Sequence, residues 1–219
     1  RYDVEDFSKA LYEYYQTGPA YLTDKEGNSK INALDGVDLL VIAKPMNKFT
    51  QKEQFILDQF IMKGGKVLWM LEGARGAELD SMQTQGLLFP YPLETGLDAM
   101  LFKYGVRVDK NIVEDLQCSK IPIQTTANGE GRGFKLYKWI YNPVLTSNNK
   151  HLITKNLNPI KLEFASSLDS VPVKGVSHLT LLETSGNNKY KKLPSRITFN
   201  ETANREIKPH TFTAGKRPI

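Results

Sequence analysis

Val37–Gly73, VDLLVIAKPMNKFTQKEQFILDQFIMKGGKVLWMLEG, carries the strongest structural signal in the chain. Leu39–Ala43 and Val67–Leu71 are continuous apolar runs. Runs of that kind belong to parallel strands covered on both faces by helices. Between them, Thr50 and Glu53 have the spacing of a capping box. The Thr side chain accepts the N–H three residues on, and the Glu side chain reaches back to the cap's own N–H. Ile56, Leu57, Phe60 and Ile61 form one stripe at helical spacing. Gly64-Gly65 supplies the left-handed turn that ends a helix. The stretch therefore predicts a βαβ unit with a right-handed crossover. Leu39–Ala43 and Val67–Leu71 should be adjacent in the sheet, or nearly so, with Trp69 buried between helices. The expected fold class is α/β, a three-layer core built on a parallel sheet over residues 1–120. A β-rich continuation over 121–185 packs on the same core, and 186–219 forms an irregular appendage.

Outward from that unit the texture changes. Val4, Phe7, Leu11 and Tyr14 recur at helical spacing behind Asp3, Glu5 and Asp6, acids that suit a helix N-terminus. After Gly73 comes a long excursion, Ala74–Pro92, containing Leu87-Leu88-Phe89. Thr95 then caps a helix with Leu97, Met100, Leu101 and Tyr104 on one face and Gly105 as its stop. From Phe134 to Ile140 apolar or aromatic residues at first alternate with lysines, as in a half-exposed strand. Asn128–Gly133 is read as the flexible tip of a hairpin.

The chain has 219 residues, 40% hydrophobic and 24% charged, with a net charge of +5 and pI near 9.1. That is the composition of a soluble globular chain large enough to build a core without disulfides or metals. The lysines and arginines are interleaved with acids and form no sustained basic helix face. A nucleic-acid partner is therefore not expected. One cysteine, Cys118, excludes an internal disulfide.

Catalytic signatures are missing. There is no G-x-S-x-G, H-E-x-x-H or C-x-x-C in the sequence. His151, His178 and His210 are isolated from one another, so neither a metal nor a cofactor is expected. Gly129, Gly131 and Gly133 precede a strand pattern instead of a helix, which argues against a phosphate loop. Cys118 has only Lys120 as a nearby charge, a poor setting for a nucleophile. Asn200-Glu201-Thr202 matches a glycosylation sequon. One location has a geometric basis for function, because ligands of open parallel sheets sit beyond the carboxyl ends of the strands. Lys44 after the first strand, and Glu72 and Arg75 after the second, can line a polar crevice there. Leu87, Leu88 and Phe89, with Tyr91, leave from the same edge as an apolar patch for partner docking.

Several segments in order resemble one family. They are LLVIAKP (39–45), FTQKEQFILDQFIMKGGKVLWML (49–71), LDAMLFKYGVRVD (97–109), VEDLQCSKIP (113–122), HLITKNL (151–157), FASSL (164–168) and LLETS (181–185). Together they are similar to the extracytoplasmic auxiliary domain of ABC-type transport systems, and within it to the gliding-motility-associated GldG proteins. His151-Leu152-Ile153-Thr154 departs from the family's usual His-Pro-Ile-Thr. The resemblance implies a non-enzymatic binding or coupling domain on the periplasmic side of the cytoplasmic membrane. It implies anchoring by transmembrane helices absent from this chain, and ABC permease and ATPase subunits or other envelope proteins as partners. It also implies a strand ahead of the helix that starts at Asp3. Its absence predicts self-association through the vacated sheet position, or filling of that position by the chain's own tail.

The α/β half also resembles the class I glutamine amidotransferase-like (flavodoxin-like) scaffold, but Leu71-Glu72-Gly73-Ala74 carries no nucleophilic cysteine. Two alternatives stand beside the binding domain. One is a hydrolase or transferase using Glu72, Arg75 and Cys118; the other is a polysaccharide-binding envelope module using exposed Trp139 and Tyr141.

Overall fold

In a computed structural model, residues 4–24, 26–79, 86–126, 132–147, 151–199 and 207–219 are described. Residues 128–131 of the glycine loop and the sequon at 200–202 lie outside these ranges. The chain divides into two compact units. The N-terminal unit is Arg1–Leu71 with Glu94–Met100, and the larger unit is Glu72–Leu93 with Leu101–Ile219. Residues 72–120 are thus split between the two, most of them joining 121–219 in the larger unit.

In the N-terminal unit, β1 (Leu39–Ala43), α2 (Gln51–Met62) and β2 (Lys66–Met70) follow α1 (Glu5–Tyr12). β1 and β2 pair in parallel, Leu40 opposite Val67 and Ile42 opposite Trp69. The Thr50 hydroxyl accepts from Glu53 N–H at 3.2 Å and Thr50 N–H donates to Glu53 Oε2 at 2.8 Å. This closes the box that starts α2, a cap worth about 1 kcal/mol. Gly64, at φ 93°, ends the helix in a conformation that costs glycine nothing. Ile56, Leu57 and Phe60 are buried.

The parallel three-layer core does not form. Among the described residues β1–β2 is a sheet of two strands, and every other strand pair is antiparallel, in small sheets. The reason lies in the faces of β1 and β2. Leu40, Ile42, Val67 and Trp69 share one face and are buried or half-buried. Leu39, Leu68 and Met70 share the other and are exposed, with Val41 and Ala43 beside them half-buried. Trp69 is half-buried, short of the burial its place in a covered sheet requires. α1 buries none of its residues. Continuous apolarity here reflects one covered face, with the second only partly covered.

The larger unit is antiparallel throughout. β3 (Ala74–Arg75) pairs with β5 (Tyr91–Pro92), and β4 (Leu87–Leu88) pairs with β13 (Ile197–Thr198). α3 (Asp98–Lys103) spans the boundary between the two units and leads to β6 (Val106–Val108). β6 pairs with β11 (Leu168–Ser170), and β7 (Asn111–Asp115) with β12 (Asn188–Lys192). β8 (Cys118–Thr126) and β9 (Arg132–Leu145) form a long hairpin, and β10 (Ile160–Lys161) flanks the base of β9. The core gathers Trp139, Tyr141, Ile112, Phe164, Ile197 and Phe212. The Trp139 ring meets Tyr141 edge-on at 5.4 Å and stacks on Phe199 at 6.2 Å. Each such pair contributes about 0.5–1.5 kcal/mol beyond its buried area.

The last residues belong to this core. Phe212 is buried, with the Lys189 ammonium 4.5 Å above its ring. Leu168 N–H donates to Pro218 O at 2.9 Å, and Thr184 N–H donates to Arg217 O at 2.9 Å. The tail therefore runs between two segments of the larger unit, and the Arg217 guanidinium binds Asp169.

Candidate functional site

The residues proposed from the sequence separate into three groups. Lys44 lies in the N-terminal unit, exposed just past β1, with φ at 46° and its N–H on Met70 O at 2.9 Å. Glu72 and Arg75 open the larger unit, where Glu72 is half-buried and Arg75 is exposed on β3. Leu87 and Leu88 form β4. Leu88 is buried opposite Ile197, so it is a core residue, and Leu87 is half-buried.

The structure brings Arg75 together with Phe89 and Tyr91. From Leu88 to Tyr91 the chain alternates: Leu88 and Pro90 face inward, while Phe89 is 63% and Tyr91 47% exposed. Arg75 is the register partner of Tyr91. A side chain at Gly76 would come within 3.7 Å of the Tyr91 ring and 3.5 Å of Phe89 O. Arg75, Phe89 and Tyr91 thus make an aromatic edge with one cation beside it.

That edge rests on a fixed base. Gly73 N–H donates to the Ser166 hydroxyl at 3.2 Å, and that hydroxyl donates to Asn111 O at 2.7 Å. Leu93 N–H closes on Gly73 O at 3.0 Å, and Lys110 Nζ donates to Leu93 O at 2.8 Å. A Cβ at Gly73 would sit 2.4 Å from Ser166 Oγ and 2.5 Å from Asp109 O, so only glycine fits. Ser195 N–H holds Pro90 O at 3.1 Å.

Behind this base is a polar network that the sequence did not reveal. Ser167 donates to Asp109 Oδ2 at 2.8 Å and accepts from Asn111 Nδ2 at 2.9 Å. Arg107 bonds Asp109 at 3.1 Å and also Asp169, which Arg217 shares. Its members lie up to 110 positions apart, and no local spacing signals such a set. Buried Asp115 accepts from Ser185 N–H and Gln117 N–H, each at 2.8 Å. These carboxylates are engaged in holding strands together.

The proposed catalytic and sugar-binding groups have other roles. Trp139 and Tyr141 are 0% and 3% exposed, so the polysaccharide platform of exposed rings is replaced by an aromatic core. Cys118 is half-buried, and burial pushes its thiol up, only partly offset by the Lys138 charge. A thiol held that way is a weak nucleophile at neutral pH. His178 lies against Gly105 with Nε2 3.3 Å from Tyr104 O. His151 Nδ1 accepts Ile153 N–H at 3.2 Å in a turn. Among the described residues no group of three or more His, Cys, Asp or Glu side chains is placed to hold a metal.

The N-terminal unit has two open clefts. One, of about 280 Å³, is lined by Asp35, Asp38, Gln59, Lys63 and Lys66, at the amino ends of β1 and β2. The other, of about 350 Å³, lies over Ile31, Phe55 and Ile56. Neither includes Lys44, Glu72, Arg75 or Cys118. No helix among the described residues is long and apolar enough to cross a membrane.

Comparison with known proteins gives a family and a likeness of fold. The model of a family described as "ABC-type uncharacterized transport system" matches residues 3–219. No curated protein matches the chain. Among solved structures, the chain is similar to the "mmIFT52 N-terminal domain" at 16% identity and a TM-score of 0.53. The match covers 84% of this chain and 71% of that one, a likeness of fold alone.

Proposed function

The chain belongs to the family of ABC-type uncharacterized transport systems, as an auxiliary component, and we propose that it serves there as a non-enzymatic docking domain. In this reading it stands on the periplasmic side of the cytoplasmic membrane. It couples the permease and ATPase subunits, or another envelope protein, to the transport cycle. The observation that carries it is the Arg75–Phe89–Tyr91 edge, where two aromatic rings and a guanidinium stand out from a hydrogen-bonded base. Aromatic residues and arginine are the side chains that dominate protein interfaces. Association with a transport system follows from the family; these three residues as the contact are our assignment.

The non-enzymatic part is supported by the raised Cys118 thiol and by carboxylates engaged in structural bonds. Activated amide and ester substrates should show no turnover above a Cys118→Ala control, and a Cys118-dependent rate would contradict it. The gliding-motility assignment rests on the ordered segments similar to GldG proteins. Deleting the gene in a gliding bacterium should stop gliding, and normal gliding would remove that refinement.

The docking surface is tested with Phe89→Ser/Tyr91→Ser in the full-length protein. Co-purification of permease and ATPase subunits should fall at least about tenfold, as loss of two anchors near the centre of an interface requires, with the circular dichroism unchanged. Undiminished co-purification would overturn the assignment.

A further inference from the structure

A second guanidinium flanks the aromatic edge. Phe199 N–H donates to Gly86 O at 3.3 Å and Ser195 N–H to Pro90 O at 3.1 Å, both from the β13 side. Leu93 N–H donates to Gly73 O at 3.0 Å, on the β3 side. Even-numbered Gly86 and Pro90 thus turn to one edge and odd-numbered Leu93 to the other, as in an extended antiparallel strand. β13 and β3 therefore stand on opposite edges of segment 86–93, which carries Phe89 and Tyr91.

The register then places Arg196. Ile197 pairs with Leu88, both buried, and the Ser195–Pro90 hydrogen bond continues the same register. Arg196 is the residue that stands opposite Phe89. Cross-strand partners share a face and successive residues alternate between faces. Arg196 therefore points outward with Phe89, away from the buried Ile197–Leu88 pair, and it is exposed. Tyr91 has Arg75 as its partner on the same outward face. Across that face the order is Arg196, Phe89, Tyr91, Arg75, with one guanidinium on each side of two neighbouring rings.

Charge and spacing indicate what this face meets. Neither Arg75 nor Arg196 pairs with a carboxylate or lies over a ring among the described residues. Two such cations on one face attract anions. Two strand separations across and two residues along put their Cα atoms about 12 Å apart. An extended chain covers that span in roughly three to four residues. Acidic side chains at that interval, with an apolar side chain between them over the rings, fit all four positions at once.

On the basis of the docking role proposed for Phe89 and Tyr91, we propose that the segment docked there is acidic. It is an extended stretch of the partner protein with two carboxylates about 12 Å apart and an apolar residue between them. One carboxylate binds the Arg75 guanidinium and the other that of Arg196, each in the two-pronged geometry that arginine and carboxylate share. The apolar residue lies on Phe89 and Tyr91.

The test uses the full-length protein and co-purification of the permease and ATPase subunits. Arg75→Gln/Arg196→Gln should lower co-purification at least about tenfold, and raised salt should weaken the wild-type complex. Arg75→Lys/Arg196→Lys keeps both charges and should lose less. In that variant a carbodiimide joins an amine to a carboxylate in direct contact. Positions 75 and 196 should then cross-link to Asp or Glu residues of a co-purified subunit, roughly three to four residues apart. All four side chains are exposed, so near-ultraviolet circular dichroism should stay unchanged in each variant. Undiminished co-purification with Arg75→Gln/Arg196→Gln would overturn the proposal. So would absent cross-links, or cross-links confined to this chain or to a second copy of it. If Phe89→Ser/Tyr91→Ser breaks the complex and Arg75→Gln/Arg196→Gln does not, the edge docks its partner by apolar contact and only the acidic segment is refuted. If neither pair matters, the docking role falls as well.

Discussion

The two units solve the same packing problem with different means. The N-terminal unit follows its local signals: a capping box, an amphipathic helix and two apolar strands in parallel register. Yet its sheet is covered on one face, Leu39, Leu68 and Met70 remain exposed, and α1 buries nothing. The larger unit has few such signals and many short strands. It buries Trp139, Ile112, Val113 and Ile197 completely and satisfies Asp115 and Ser167 through partners far away in sequence. Strong local preference does not by itself bury surface. Most of the stabilisation in this chain is therefore expected from contacts that join distant segments, where tertiary packing outweighs propensity.

The sharpest way to break this comparison is at the aromatic core. Trp139→Ala removes a fully buried ring with three aromatic neighbours and should cost about 3–5 kcal/mol in denaturant unfolding. A loss near that of an exposed site would show that the larger unit does not carry the stability. Next comes Gly73→Ala, which places a methyl group against Ser166 Oγ and the Asp109 carbonyl. Overpacking against backbone predicts a loss of about 1–3 kcal/mol. It should also weaken partner co-purification, because the base of the Phe89–Tyr91 edge shifts.

Thr50→Ala sharpens the comparison from the other side. It should cost about 1 kcal/mol and be read as faster amide exchange in α2 with that of β7 and β9 unchanged. Equal acceleration in both units would mean that they open together. The smallest effect is expected for Leu68→Thr/Met70→Thr, on the open face of the sheet, within about 0.5 kcal/mol for each site. A loss of several kcal/mol there would mean that this face is covered and that the one-sided reading of β1–β2 is wrong.

What the sequence made legible follows the same division. The helix from Gln51, its Thr50–Glu53 box, the glycine stop and the apolar runs Leu39–Ala43 and Val67–Leu71, the second of which forms its strand one residue earlier at Lys66–Met70, are all local features. The layered sheet was not legible. A continuous apolar run reads the same whether one face or both are covered, and no local pattern says what lies across the sheet. At the candidate site, Arg75 and Phe89 were readable as exposed groups after a strand end. The inward turn of Leu88 depends on its pairing with Ile197, more than a hundred positions later. Trp139 and Tyr141 were misread for a related reason. Their strand was legible as half-exposed, but no local pattern said which of its two faces the core covers. The Asp109–Asn111–Ser167 network and the Arg217–Asp169 contact join segments that no spacing rule connects.

The most direct test is native-state hydrogen exchange along the whole chain. Amides of β7, β12 and the buried stretch Trp139–Leu145 of β9 should exchange only through global unfolding and share one highest free energy of opening. Those of α1, α2, β1 and β2 should open at clearly lower free energies, in a separate step. Slowest exchange in β1 and β2, or one opening free energy common to both units, would contradict the account.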